Sequence, residues 1–267
     1  MTYGWAILIV AIVLVALFQL GIFNQQQVSR VRAGACQVYK NAATGASLEG
    51  ECQGIWPQFV AQFNGASSQV SMNMPNLPLS ASPFTISAWV EPTGSLSSSV
   101  VVQFGTVSPE EASHIWASSG SVLTGFAYDN PGTSGAPVIT TGKWYHLAYS
   151  YNGGTTSTIY VNGQSYTQTF ASSGNVAGTG GLIGTDGMGS SFAGRISNVQ
   201  LYNTTLSASE INTLYLEGIG AAPMDPTHLV GWWPLNGNTN DYSGNNNNGA
   251  QTSISYNSTW TSGYVQP

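Results

Sequence analysis

The chain has 267 residues, of which only 6% are charged and 42% hydrophobic, with a formal net charge of −6. That apolar content excludes an intrinsically disordered chain, and the absence of any basic excess speaks against nucleic acid as a partner. Plentiful Tyr, Trp and Thr, with Gly, Ser, Thr and Asn crowding the intervals between apolar runs, favour strands over helices.

The first predicted element is the run GWAILIVAIVLVALFQLGIF, Gly4–Phe23, whose one polar interruption is Gln19. At about 1.5 Å per residue a helix of that length spans about 30 Å, the thickness of a bilayer core. The periodicity carries the helix on through NQQQVSRVRAG to a stop at Gly34. A helix apolar on every face needs lipid or other helices around it, so a single-pass anchor and a packed helical core both fit. The opening stretch MTYGWAILIVAIVLVALFQLGIFN also resembles the hydrophobic N-terminus of archaeal type IV pilin-like proteins with class III signal peptides. The resemblance implies membrane residence before assembly and then a homopolymer, a filament core of copies of the same chain. Trp5, Ile7, Leu8, Ile9, Val10, Ile12, Val13, Leu14, Val15, Leu17, Phe18, Leu20 and Phe23 would do the packing.

Cys36 and Cys52 follow, with no histidine near them. A disulfide formed in an oxidising compartment is the expected reading, closing a loop of about 15 residues worth about 3 kcal/mol in the chain-entropy model; a pair of buried free thiols is the alternative. The expected organisation is therefore a hydrophobic helix over 1–33, a disulfide-containing connector over 34–58 and a β-rich domain over 59–267.

From Phe59 the pattern turns to alternating apolar positions punctuated by Gly, Asn and Pro, as in FTISAWVEP, SVVVQFG, GKWYHLAYSYNG and GRISNVQLYN. This predicts an antiparallel sandwich or jelly roll. Asn162-Gly163 predicts a tight hairpin turn. One helix interrupts the strands, with Ser207 and Glu210 as a capping box, Ile211, Leu214 and Tyr215 as its apolar stripe and Gly218 as its stop. The segments FTISAWVEP, GKWYHLAYSYNGGTTSTIYVNG and FAGRISNVQLYNTTLSASEINTLY resemble successive motifs of the concanavalin A-like lectin/glucanase superfamily, laminin-G-like branch. The resemblance implies a two-sheet jelly roll and no particular activity. In that family a segment like LVGWWPLNGNTNDYSGNNNNGA precedes the strand matched here by AQFNGASSQVSM, whereas in this chain it follows it. Circular permutation, exchange of the strand into a neighbouring subunit, and truncation of a tandem array each explain the order.

Candidate chemistry is sparse. The 11 acidic residues include no pair spaced along one strand as a glycosidase requires, and Glu110 and Glu111 are neighbours in a loop begun by Pro109. His114, His146 and His228 lack zinc-like clustering, and no serine elbow accompanies them. No enzyme is expected. Calcium, which many members of the superfamily bind, has candidate ligands in Asp129, Asp186 and Asp241 in Gly-rich loops, although ordinary turns use the same residues. Trp56, Trp116, Trp232, Trp233 and Trp260 are available for sugar stacking or for the core, with alternation sending Trp232 and Trp233 to opposite faces. Asn203 and Asn257 head glycosylation sequons. Together these features lead to the expectation of an extracellular, pilus-like filament subunit with a lectin-like exterior domain serving adhesion and contacting surface glycans. The alternative is a monomeric membrane-anchored lectin.

Overall fold

The computed structural model describes residues 56–106, 111–118, 121–126, 130–131 and 138–267. The expected helix at 1–33 and both cysteines lie outside the described residues, and among those described no helix is long and apolar enough to cross a membrane. In chain order the strands are β1 (Val60–Asn64), β2 (Gln69–Asn73), β3 (Phe84–Pro92), β4 (Ser99–Gly105), β5 (Ala112–Ser118), β6 (Ser121–Phe126), β7 (Asn130–Pro131) and β8 (Tyr145–Tyr151). They continue with β9 (Thr156–Val161), β10 (Gln164–Thr169), β11 (Gly180–Ile183), β12 (Ala193–Tyr202), helix α1 (Ala208–Glu217), β13 (Leu229–Trp233), β14 (Ala250–Thr252) and β15 (Ser255–Asn257).

The strands form two antiparallel sheets that face each other. The first runs β10-β9-β8-β3-β12-β1-β15, with β13 also on β12, and the second runs β14-β2-β11-β4-β5-β6-β7. Alternation, broken in β12 by an irregularity between Ser197 and Gln200, sends Phe63, Phe84, Ile86, Val102, Phe104, Ile115, Leu147, Tyr149, Ile183, Ile196, Val199 and Trp233 into the space between them, all 5% exposed or less. At about 25 cal/mol per Å² of apolar surface removed from water, this interior is the dominant stabilising term.

The displaced C-terminal segment returns to its own domain. β1 occupies the Ala193–Ile196 half of β12, and β13 continues on the same strand, pairing Trp233 with Val199 and Gly231 with Leu201. β14 then closes the edge of the second sheet on β2, and β15 closes the first on β1. The segment 229–257 thus completes both sheets of its own domain.

Local signals hold. Asn162 and Gly163 both take positive φ, 52° and 76°, as a two-residue hairpin turn between β9 and β10 demands. Ser207 Oγ accepts from Glu210 N while the Glu210 carboxylate accepts from Ser207 N, and Gly218 ends α1 with φ 87°. Gly184 is required by contact rather than by a turn alone, since a Cβ there would lie 2.2 Å from the Phe63 ring.

Candidate functional site

The outward face of the first sheet is sealed. α1 lays Ile211 and Leu214 over Ala148, Tyr160, Tyr202 and Trp232, and the C-terminal tail adds Trp260 and Tyr264 over Val60, Trp89 and Trp144. His146 lies under this cover, 1% exposed, with Nε2 2.8 Å from Ser87 Oγ. The rings of Trp89 and Tyr215 stand 5.4 and 6.2 Å from it. Burial without a counter-charge lowers its pKa to about 3. This is a neutral packing histidine.

The outward face of the second sheet is built differently, and among the described residues no helix packs on it. Ile115 and Ala117 of β5 point into the core, so His114 and Trp116 point out. Register places Gln103 of β4 directly beside His114, and Leu182 of β11 beside Gln103. The loop Gly184–Phe192 folds against this row: Gly187 lies over the Leu182 side chain, and Asp186 interacts electrostatically with His114. Asp186 Oδ1 organises the loop by accepting from Met188 N at 2.7 Å and Ser190 N at 3.0 Å.

His114 is 4% exposed and Trp116 partly exposed, with ring centroids 4.7 Å apart. Neither ring nitrogen of His114, nor the indole N–H of Trp116, has a hydrogen-bond partner among the described residues. Each buried polar group left without a partner costs about 1–3 kcal/mol, and three such nitrogens lie together on this outward face. Burial lowers the His114 pKa to about 4, opposed by the nearby Asp186 carboxylate. Near neutral pH the ring is therefore an uncharged imidazole, one nitrogen donating and the other accepting.

The structure sorts the residues singled out by sequence. It brings together His114, Trp116 and Asp186, which sequence considered separately, and it adds Gln103 and Leu182, which sequence missed. The available signal was the period-2 spacing of His114 and Trp116 in ASHIWAS, a segment whose polar flanks hid a strand. Trp232 and Trp233 do point to opposite faces, but α1 covers the outer one, leaving Trp232 only 8% exposed. Trp260 is buried, and the ring of Trp56, 46% exposed, lies 5.5 Å from it, tilted by 35°. Asn203 is exposed at the end of β12, whereas Asn257 Oδ1 accepts from Thr259 N at 2.7 Å within its own sequon.

Asp241 is held within its own loop. Its Oδ1 accepts from Trp232 N and Ser243 N, both 2.9 Å, and its Oδ2 from Asn247 N and Ser243 Oγ, both 2.8 Å. Calcium needs about six to eight oxygens turned toward it, whereas this carboxylate is ringed by donors. Asp129 lies outside the described residues, and among those described no group of three or more His, Cys, Asp or Glu is placed to hold a metal ion. Glu91 is likewise structural: it pairs with Arg195 Nη1 at 2.5 Å, and burial raises its pKa against that partner's pull.

A cleft of about 580 Å³, mouth included, opens on the helix side between Pro57, Ile219, Trp232, Pro234, Asn236 and Tyr242. Its key amides serve the fold. Asn198 donates to Ala221 O and accepts from Trp232 Nε1, both at 2.8 Å, and Asn236 Oδ1 accepts from Phe59 N at 2.7 Å.

Two sheets face to face, the capped helix on one of them and the motif order already agree with one family, and a family model for the concanavalin A-like lectin/glucanases superfamily matches residues 64–212. The chain belongs to that superfamily. No curated protein sequence matches it. Among solved structures, a Bacteroides ovatus protein described as carbohydrate-binding aligns with 19% identity and a TM-score of 0.55, over 75% of this chain and 60% of its own. The chain thus spans less than two thirds of that relative. A native heptameric SAP-like pentraxin from Limulus polyphemus aligns with 16% identity and a TM-score of 0.54, over 75% of this chain and 94% of its own. Both likenesses concern the fold alone, and each covers 75% of the chain.

Proposed function

We propose that the domain is a non-catalytic carbohydrate-binding module of the cell exterior that takes its ligand on the outward face of the second sheet. The observation that carries this reading is the patch of His114 and Trp116 with three unsatisfied buried nitrogens beside Asp186. A sugar ring offers an apolar C–H face to the indole and hydroxyls that both donate and accept. The neutral imidazole gives one donor and one acceptor, and the indole N–H a second donor. The fold of the Bacteroides ovatus relative, described as carbohydrate-binding, supports the same reading.

Isothermal titration against a panel of soluble oligosaccharides tests it. Trp116→Ala and His114→Gln should each weaken binding at least tenfold, about 1.4 kcal/mol, with melting temperatures measured in parallel. Binding that survives both changes sinks the site.

A second reading concerns the whole chain. The all-round apolar run Gly4–Phe23 supports a filament subunit whose helices pack together while the β-domains coat the outside. Cryo-electron microscopy of native surface material tests this: a central helical bundle supports it, and isolated copies held in membrane under every growth condition refute it.

A further inference from the structure

The end strands of a β-sheet carry outer N–H and C=O groups with no partner, and proteins blunt such edges because they template pairing with another chain. Among the described residues, three of the four end strands are blunted. β14 and β15 are three residues each, and β7 is two residues ending in Pro131. The outer side of β13 is taken up by its own loop, where Tyr242 N donates to Trp232 O at 2.8 Å and Asn247 Nδ2 to Val230 O at 2.7 Å. β10 is the exception. It runs six residues, QSYTQT, pairs with β9 without a register shift, and carries no charge and no proline.

The two-residue turn at Asn162-Gly163 decides which groups of β10 point outward. It makes Val161 and Gln164 a hydrogen-bonded pair, and alternation along the ladder then commits Tyr166 and Gln168 to β9 as well. Phe170 N, which donates to Thr155 O at 2.8 Å, keeps the same phase. The N–H and C=O of Ser165, Thr167 and Thr169 therefore turn away from β9, and no backbone bond among the described residues reaches them. All three residues are exposed.

We propose that β10 pairs antiparallel with β10 of a second copy, continuing the first sheet across two domains. A two-fold axis through Thr167 sets Thr167 against its counterpart and Ser165 against Thr169, so the outward groups of all three residues find partners in the other strand. Self-pairing suits this strand in particular. With no charged side chain on it, a two-fold brings no like charges together, and the facing Thr and Ser hydroxyls form favourable cross-strand pairs. Those side chains stand on the face away from the core, because Ile159 and Val161, which pair with Tyr166 and Gln164, are core residues. A contact of roughly five residues a side falls below the ~1,200 Å² typical of stable interfaces, so the association is reversible.

The test follows amide hydrogen exchange, resolved to single residues, in the full chain at roughly 0.01 and 1 mM, in detergent micelles that shield Gly4–Phe23. Wild type is compared with Thr167→Lys and Thr167→Pro. Lysine keeps the N–H but sets two positive charges against each other, while proline removes an N–H that the ladder to β9 does not use. Melting temperatures measured in parallel check that the variants fold, and Thr167→Lys alone carries the test if the proline variant does not. In wild type the amides of Ser165, Thr167 and Thr169 should exchange about fivefold more slowly in the concentrated sample. That difference should vanish in Thr167→Lys, and at Ser165 and Thr169 in Thr167→Pro. Fast exchange at both concentrations overturns the proposal, and so does slow exchange at both, which would mean that the edge is covered within one chain. Concentration-dependent protection that survives Thr167→Lys places the contact elsewhere and also overturns it. Protection that appears only when other proteins of the native surface are added assigns the edge to a foreign strand and overturns the self-pairing.

Discussion

Asp241→Ala separates a structural carboxylate from a calcium ligand. The side chain accepts from three backbone N–H groups, those of Trp232, Ser243 and Asn247, and from the Ser243 hydroxyl. The three backbone donors belong to residues no more than 8% exposed, so solvent is poorly placed to replace the carboxylate. At about 1–3 kcal/mol for each donor left without a partner, and with partial relaxation of the loop, the substitution should cost about 3–5 kcal/mol. For a protein of this size each kcal/mol shifts the melting temperature by about 2–4 °C, giving a fall of roughly 6–20 °C. Asp241→Asn keeps one acceptor oxygen but turns an amide donor toward the remaining N–H groups, so it should fall between. Differential scanning calorimetry of wild type and both variants, with and without EDTA, reads the result, and EDTA should leave the wild type unmoved. A loss below about 1 kcal/mol for Asp241→Ala, or a wild-type melting temperature lowered by EDTA, would refute the reasoning.

Arg195→Met strands the Glu91 carboxylate in a buried site and should cost about 3–5 kcal/mol by denaturant unfolding, much more than the double change Arg195→Met/Glu91→Leu. His114 and His146 are held neutral down to about 4 and about 3, so between those values and about 6.5 the unfolded chain binds protons that the folded chain does not. Their contribution is complete above about 6.5 and is lost as pH falls, at about 1.4 kcal/mol per pH unit for each. His114→Gln should halve that histidine component in urea melts taken from pH 6 to 5, and an unchanged slope counts against a buried neutral ring. Gly163→Ala places a Cβ 2.5 Å from Asn212 Oδ1 at φ 76°, where the hairpin meets α1. It should cost about 1–2 kcal/mol, measured as a shift in the urea midpoint.

What sequence made legible was what local chemistry decides. Asn162-Gly163 forces positive φ wherever it sits in a hairpin, and Ser207 with Glu210 satisfies its own helix end, so both read through without tertiary knowledge. β5 escaped because Ser113, His114 and Ser118 dilute its apolar alternation, and the polar residues there are the ones that form the candidate site. Asp241 was ambiguous for a related reason. A Gly- and Asn-rich loop supplies oxygens for a cation or acceptors for its own backbone, and only the direction of Trp232 N, Ser243 N and Asn247 N decides between them. Trp232 was half legible, since alternation gives its face but not the helix that covers that face.

The two buried histidine–tryptophan pairs show how that cover assigns roles. His146 with Trp89 and His114 with Trp116 are alike in composition, and each pair leaves nitrogens without partners among the described residues. On the first sheet, Tyr215 of α1 lies across the pair, 6.0 Å from Trp89 and nearly parallel to it at 22°, while Ser87 engages one imidazole nitrogen. That pair is covered by the protein itself, although Trp89 Nε1 and His146 Nδ1 find no partner among the described residues. On the second sheet both imidazole nitrogens stay unengaged, the indole keeps some exposure, and the neighbouring loop offers the Asp186 carboxylate instead of an aromatic lid. The same side chains that serve as packing beneath α1 thus lie uncovered by any described helix on the second sheet, which is what makes His114 and Trp116 the residues to test.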